Sequence, residues 1–324
     1  MIIVTGGAGF VGRNIIKKLN EVEKKEILVV DNLSNGKKYR NLMNLDISDY
    51  LDKDYFINKL LDNPSYFKNI EVVFHEGACS NTREWNGKYL MKNNYEYSKL
   101  LLFYCIKYEI PFIYASSASV YGSNMCNVYC RNNKIINSIE NPVTMYGYSK
   151  FLFDRYVHNI LPKVKSQVCG LRYFNIYGPH EFHKGRMASV ILNIYKKVKN
   201  KESPILFVGS KNFKRDFVYI DDIVNVNLWI WYNKISGIFD CGTGHARSFE
   251  FVTSIVLNLL NYNTIKYVTM PKEIQKYYQY FTKANISQLQ GIGYENKFID
   301  VNEGIYKYLN WLNLYMCMIV YYFV

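Results

Sequence analysis

A tyrosine and a lysine four residues apart on a helix share one face and can act as a unit. The phenol can take a proton from a substrate hydroxyl while a cofactor accepts hydride from the same carbon. An ammonium beside the phenol favours the phenolate and lowers a pKa that is otherwise ~10. The chain has five such pairs: Tyr55/Lys59, Tyr95/Lys99, Tyr146/Lys150, Tyr195/Lys199 and Tyr262/Lys266. Any one alone reads as two surface helix residues, so context must choose. Residues 111–117 read as a strand that ends in the hydroxyls of Ser116 and Ser117. Ligands of open α/β sheets sit at such C-terminal strand ends. The helix of Tyr146 follows this strand after a loop containing Pro142, and that selects Tyr146/Lys150. The pairs at 55 and 95 fall on helices between earlier strands, and those at 195 and 262 come after the parallel core.

The elements that must hold this pair begin at the first residues. Ile2-Ile3-Val4 reads as a buried strand, followed by Thr5-Gly6-Gly7-Ala8-Gly9-Phe10-Val11-Gly12 and a helical pattern at Val11, Ile15, Ile16 and Leu19. Gly7, Gly9 and Gly12 fit a Gly-x-Gly-x-x-Gly loop, which places a pyrophosphate on a helix N-terminus. Gly6, Gly9 and Gly12 are expected at the cofactor. A second strand, residues 27–30, runs into Asp31, where an acid would meet a ribose hydroxyl. Asp31 favours NAD, whereas Lys37, Lys38 and Arg40 could offset its repulsion of a 2'-phosphate, so residue chemistry leaves NAD and NADP open. Residues 44–46 read as the end of a third strand, 55–61 as a helix closed by Pro64, and 71–76 as a fourth strand entering the small-residue loop Gly77-Ala78-Cys79-Ser80. His75 on that strand reads as a core histidine. A helix is expected over residues 89–108.

Beyond Tyr146, residues 167–173 read as a sixth strand and 175–184 as a polar loop crossing the cleft. His180 and His183 lack a third metal ligand nearby and read as solvated, so no metal is expected. Arg215 offers a planar fork for a pyrophosphate at the opening of an apolar strand over 217–220. Asp221 and Asp222 are expected to cap a helix reaching about residue 232, and Gly242-Thr243-Gly244 to turn after a strand at 238–241. Residues 314–324 form an apolar, aromatic tail too short to span a bilayer, and they read as an extension without function rather than a subunit contact.

At 324 residues, with 49% hydrophobic and 21% charged, the chain is long enough for a large core and does not resemble a disordered one. The net charge of +13 is spread rather than gathered, which argues against nucleic acid. Seven scattered cysteines show no disulfide framework, and the start of the chain enters the glycine loop without a signal peptide. A cytoplasmic protein that does not engage a membrane is expected.

The glycine loop, Ser117 and Tyr146/Lys150 in this order resemble the extended short-chain dehydrogenase/reductase family of nucleotide-sugar epimerases and dehydratases. Residues 74–80, 146–154, 172–175 and 212–219 resemble, within it, the ADP-L-glycero-D-manno-heptose 6-epimerases. The likeness covers residues 1–313. It implies an α/β fold: a Rossmann-type doubly wound parallel sheet in residues 1–174, to which 217–241 return, and a smaller mixed α/β substrate lobe within 175–313. It implies NADP against Phe10, Val11, Asp31, Asn32, Lys38 and Lys53, against Glu76, Gly77, Ala78, Cys79 and Ser80, and against Asn93, Lys150, Ile176 and Lys184. Tyr146 and Lys184 would be the acid/base residues, Ser117 would hold the reacting oxygen, and Lys150 would tune Tyr146. Asn175, Arg186, Asn193, Phe207, Val208, Gly209, Ser210, Arg215 and Tyr278 would meet the ADP-sugar. Arg186 and Asn193 depart from the family pattern, which has Ser and His there. Ser117-Ala118-Ser119 lacks the carboxylate of the dehydratases, which argues against elimination. The resemblance also implies transient oxidation and re-reduction at C6 of an ADP-heptose, supply of lipopolysaccharide inner-core heptose, and a homo-oligomer, a pentamer.

Overall fold

The computed structural model describes residues 1–63, 67, 69–123 and 140–322, with backbone alone for 316–322. Pro64 and two of the seven cysteines, Cys126 and Cys130, lie outside the described residues. Short apolar runs form the strands β1 (Ile2–Thr5), β2 (Ile27–Asp31), β4 (Val72–His75), β5 (Phe112–Ser117) and β6 (Val168–Tyr173), and a polar stretch forms β3 (Asp49–Asp52). With β10 (Gly237–Cys241) they make a seven-stranded sheet of order β10-β6-β5-β4-β1-β2-β3, every pairing parallel. The central strands are apolar on both faces because helices cover both. Ile2, Val4, Val72 and Phe74 face one core while Ile3, Val73 and Phe112 face the other. The first core runs on through Tyr177, Ile220 and Tyr308 into the C-terminal part, so both parts share one hydrophobic interior. This is the Rossmann-type α/β fold expected.

The third strand lies at 49–52 rather than 44–46. Residues 42–45 spend their backbone on a turn, Leu45 N–H to Leu42 C=O at 3.1 Å. The edge strand that follows is half-exposed and polar, so it lacks an apolar signature.

The helices are α1 (Phe10–Glu21), α2 (Lys53–Asp62), α3 (Gly87–Leu90), α4 (Tyr97–Lys107), α5 (Met145–Ile160), α6 (Val190–Lys199), α7 (Ile220–Tyr232), α8 (Phe249–Leu259), α9 (Lys272–Gln275), α10 (Ser287–Gly291) and α11 (Val301–Tyr322). A π turn over Met91–Glu96 joins α3 to α4. Thr144 caps α5 by accepting from Gly147 N–H at 3.0 Å, a common N-cap arrangement. Asp221 and Asp222 lie inside the first turn of α7 and do not cap it. Asp222 accepts instead from Ile299 N–H at 2.8 Å. Residues 314–322 continue α11, whose buried Val301, Ile305, Tyr308, Leu309 and Leu312 form one helical face. No helix among the described residues is long and apolar enough to cross a membrane.

Two small sheets stand beside the main one. Strand β9 (Lys214–Tyr219) lies between β7 (Asn175–Tyr177), parallel, and β11 (Ala246–Ser248), antiparallel. Strands β8 (Ile205–Phe207) and β12 (Lys266–Val268) pair in parallel. Arg215 therefore sits inside a strand rather than before it, because backbone pairing with β11 starts at Lys214.

Candidate active site

A cleft of about 1130 Å³ opens across the C-terminal ends of β1, β2, β4 and β5 and reaches the small sheets. One wall is made by backbone. Gly6 has φ +67°, and a Cβ there would lie 2.7 Å from the Glu76 carbonyl carbon and the Gly77 nitrogen. A Cβ on Gly12 would drive into the Gly6 carbonyl oxygen. The loop thus closes on itself without side chains and bares the N-terminal turn of α1, a cradle that suits a pyrophosphate. Asp31 accepts from Ala8 N–H at 2.8 Å and Asn32 N–H at 2.6 Å, and Lys38 pairs with it at 2.8 Å. The 77–80 loop is held by Asn94 of the π turn, which bonds both the N–H (2.8 Å) and the C=O (3.1 Å) of Cys79 and reaches Ser149 at 3.0 Å. Such π turns often mark functional positions. Lys53 hydrogen-bonds Asn93 at the same wall. Gly9, Phe10, Val11, Asn32, Ala78, Ser80 and Ile176 line it too, so the donors and glycines present fit a dinucleotide.

His75 stands beside this wall but is fully committed to the core. Its Nδ1 meets Thr5 Oγ at 2.6 Å and its Nε2 meets Ser98 Oγ at 2.8 Å. Burial pushes its pKa from 6.5 down to about 3.

Helix α5 brings the reactive side chains to the sheet. Tyr146, Lys150 and Asp154 recur every four residues, so one face carries all three. Asp154 anchors that face: it accepts from Tyr114 (3.0 Å), Ser116 (2.8 Å) and Arg172 Nε (2.8 Å). Lys150 donates to the Ala115 carbonyl at 2.7 Å, and burial pushes its pKa down to about 8 against the opposing pull of Glu76. Ser117 lies beside the Tyr146 phenol and favours its ionisation. The phenol is shifted upward, burial outweighing the influence of Ser117, so the lowering expected from Lys150 is absent. The Lys150 ammonium is turned to a carbonyl instead. Glu76, which sequence reasoning gave only as a cofactor contact, accepts from Tyr173 at 2.9 Å, and burial pushes its pKa up to about 7.

The opposite part of the cleft is made by side chains. Asn175, Lys184, Arg186, Asn193, Arg215 and Tyr278 all line it. Lys184 lies on a 3-10 turn, Phe182–Met187, with its ammonium 5.0 Å from the Phe10 ring centre and 3.8 Å from Glu181. Arg186 is exposed to the cleft, and Asn193 donates to the Ala188 carbonyl at 3.0 Å. The Arg215 guanidinium is flanked by Tyr278 (5.2 Å) and Phe249 (5.6 Å). Phe207, Val208, Gly209 and Ser210 do not line the cleft. Phe207 packs edge-on behind Tyr278 at 6.2 Å, Val208 faces solvent, Gly209 takes φ +87°, and buried Ser210 donates to Glu250 at 3.4 Å. His180 and His183 are not solvated. His180 packs on Trp311 at 4.9 Å, His183 Nδ1 meets Asn41 at 3.0 Å, and burial holds their pKa values at about 3 and about 4. Among the described residues no group of three His, Cys, Asp or Glu side chains could hold a metal.

Residues 2–242 match the NAD dependent epimerase/dehydratase family. The chain belongs to this family. Among solved structures similar to this epimerase/dehydratase fold is the Helicobacter pylori ADP-L-glycero-D-manno-heptose-6-epimerase, with 29% identity, 96% of each chain covered and a TM-score of 0.82. The Thermotoga maritima UDP-glucose 4-epimerase matches with 25% identity, 97% and 99% coverage and a TM-score of 0.77. The Methanobrevibacter ruminantium UDP-N-acetylglucosamine 4-epimerase has 24% identity, 96% and 97% coverage and a TM-score of 0.81, a likeness of fold. Asn94, Asp154 and Glu181 shape the site of this family member without having been singled out in the sequence. Asp154 had a signal, its four-residue spacing from Lys150, whereas Glu181 had none.

Proposed function

We propose that this chain inverts C6 of the heptose in ADP-D-glycero-D-manno-heptose, giving the L-glycero epimer, with NADP as its bound cofactor. The observation that carries this reading is that one cleft is lined by both Tyr146 on α5 and Lys184 on the 182–187 turn. Inverting a carbon by oxidation and re-reduction needs a proton acceptor and a proton donor for two faces of the same ketone, which two such groups can supply. When bound, the nicotinamide supplies a hydride acceptor and returns the hydride. Tyr146, beside Ser117, takes the C6 hydroxyl proton in its phenolate form in one direction, and Lys184 serves the oxygen when the ketone has turned. Arg215, stacked by Tyr278 and Phe249, holds the diphosphate. Lys38 supports NADP over NAD, because its pairing with Asp31 offsets the repulsion a 2'-phosphate would meet there.

The same reading makes the protein a cytoplasmic homo-oligomer, a pentamer, that supplies heptose for the lipopolysaccharide inner core; light scattering of the purified protein checks the assembly. Proton NMR of purified protein with ADP-D-glycero-D-manno-heptose and no added NADP tests the activity. Appearance of the L-glycero epimer is expected. Conversion of UDP-glucose or UDP-galactose instead would move the assignment to a 4-epimerase, and conversion of none to a cofactor-binding protein without catalysis.

A further inference from the structure

Glu181 lies at the end of the loop that enters the cleft and is fully buried, at 0% exposure. A carboxylate withdrawn from water costs several kcal/mol unless it is both hydrogen-bonded and paired. Here one oxygen accepts from Ser189 N–H at 2.6 Å, and the other accepts from the Ser189 and Tyr308 hydroxyls, the latter at 3.1 Å. The opposite charge comes from Lys184, 3.8 Å from the first oxygen. That distance is an ion pair too long for a hydrogen bond, so the Lys184 donors remain available to the cleft. Tyr308 belongs to α11, and the same helix places Trp311 and Tyr315 on Phe182, at 6.2 and 5.4 Å, and on His180, at 4.9 and 6.3 Å. The residues on either side of Glu181 are therefore gripped by the helix that grips Glu181 itself.

We propose that Glu181 is a positioning residue for Lys184. With Tyr308 it ties the terminal helix to the 182–187 turn and holds the Lys184 ammonium over the Phe10 ring, where the cleft needs it. This gives the Tyr315 end of α11 a role in the site and removes the ground for reading Tyr315 as part of a functionless extension. The proposal rests on the reading of Lys184 as the second acid/base residue, and its test separates the two.

The test reads position and turnover in parallel. Reductive methylation with 13C-formaldehyde labels the lysines, and the Lys184 signal is the one lost in Lys184→Arg. Its place over the Phe10 ring predicts an upfield shift relative to exposed lysines. Glu181→Gln and the milder Tyr308→Phe should each move that signal toward the exposed group while far-UV circular dichroism stays native. Should Glu181→Gln fail to fold, Tyr308→Phe carries the test alone. With the ADP-heptose substrate, Glu181→Gln should lower kcat by roughly 10- to 100-fold with KM little changed, the scale of a misplaced catalytic group. On a Lys184→Ala background it should add no further loss. An unmoved Lys184 signal in the folded variants overturns the proposal whatever the substrate. Full turnover by Lys184→Ala overturns instead the reading of Lys184 as acid/base.

Discussion

The two walls of the cleft are built from different materials. The cofactor wall is backbone: Gly6, Gly9 and Gly12 leave room where any Cβ would strike main-chain atoms, and the 77–80 loop is fixed by Asn94 through its N–H and C=O groups. The opposite wall, proposed for the substrate, is side chain: Lys184, Arg186, Asn193, Arg215 and Tyr278 reach in from a 3-10 turn, a helix, a short strand and a loop. A backbone wall has few ways to vary without collapse. A side-chain wall can change its ligand by single substitutions. The contrast predicts that the cofactor wall fails in binding and fold, and the substrate wall in turnover and KM.

The largest effect should come from Tyr146→Phe, which removes the phenolic proton carrier and leaves the backbone wall intact. Turnover should fall by about 10²–10⁴-fold, the usual worth of a general acid/base, while bound cofactor is still recovered from denatured protein. Loss of cofactor together with turnover would break the separation between the walls.

Acid should loosen the cofactor side through His75. Its folded pKa is about 3 against an ordinary 6.5, so between these values the unfolded chain binds a proton that the folded chain does not. Stability present above about pH 6.5 is thus lost as pH falls, by up to about 1.4 kcal/mol per pH unit. His75→Leu leaves Thr5 accepting from Gly77 and Ser98 donating to Asn94. It should flatten the fall of Tm between pH 6.5 and 5; an unchanged slope would show that His75 is not the group being titrated.

Gly6→Ala places a Cβ 2.7 Å from main-chain atoms at a left-handed φ of +67°. A cost of about 1–3 kcal/mol is expected from overpacking, with weaker cofactor retention, measured by denaturant unfolding and by cofactor recovery. A raised KM for the sugar in folded protein that still retains its cofactor would count against the division. Arg215→Lys should be the mildest. It keeps the charge but loses the planar stack between Tyr278 and Phe249, worth about 0.5–2 kcal/mol, so KM should rise roughly 2- to 30-fold with kcat near wild type. A collapse of kcat alone would assign Arg215 to the chemistry rather than to holding the diphosphate.

The difference between the walls also explains what could be read from the sequence. The parallel sheet, its glycine loop and the Tyr146/Lys150 face declare themselves through apolar runs and fixed spacings, because backbone geometry imposes both. The edge strand Asp49–Asp52 escaped because half-exposed edges need no apolar residues. Residues 207–210, expected at the sugar from the resemblance, lie off the cleft lining, with Phe207 against Tyr278 and Gly209 at φ +87°. The shift of the Tyr146 phenol has the sign of its burial, which no spacing shows. Glu181 was invisible for a related reason: Ser189 reaches it only across the folded 182–187 turn, and Tyr308 comes from a distant helix that only the packed core brings near.

The central claim is that one cleft lends a hydride out and takes it back at the same carbon. ADP-D-glycero-D-manno-heptose carrying deuterium at C6 tests it directly. NMR and mass spectrometry of the L-glycero product should find the deuterium still on C6, since the hydride removed is the hydride returned. Deuterium replaced by solvent hydrogen would contradict the account, because the carbon would then have been inverted by proton exchange with water rather than by oxidation and re-reduction.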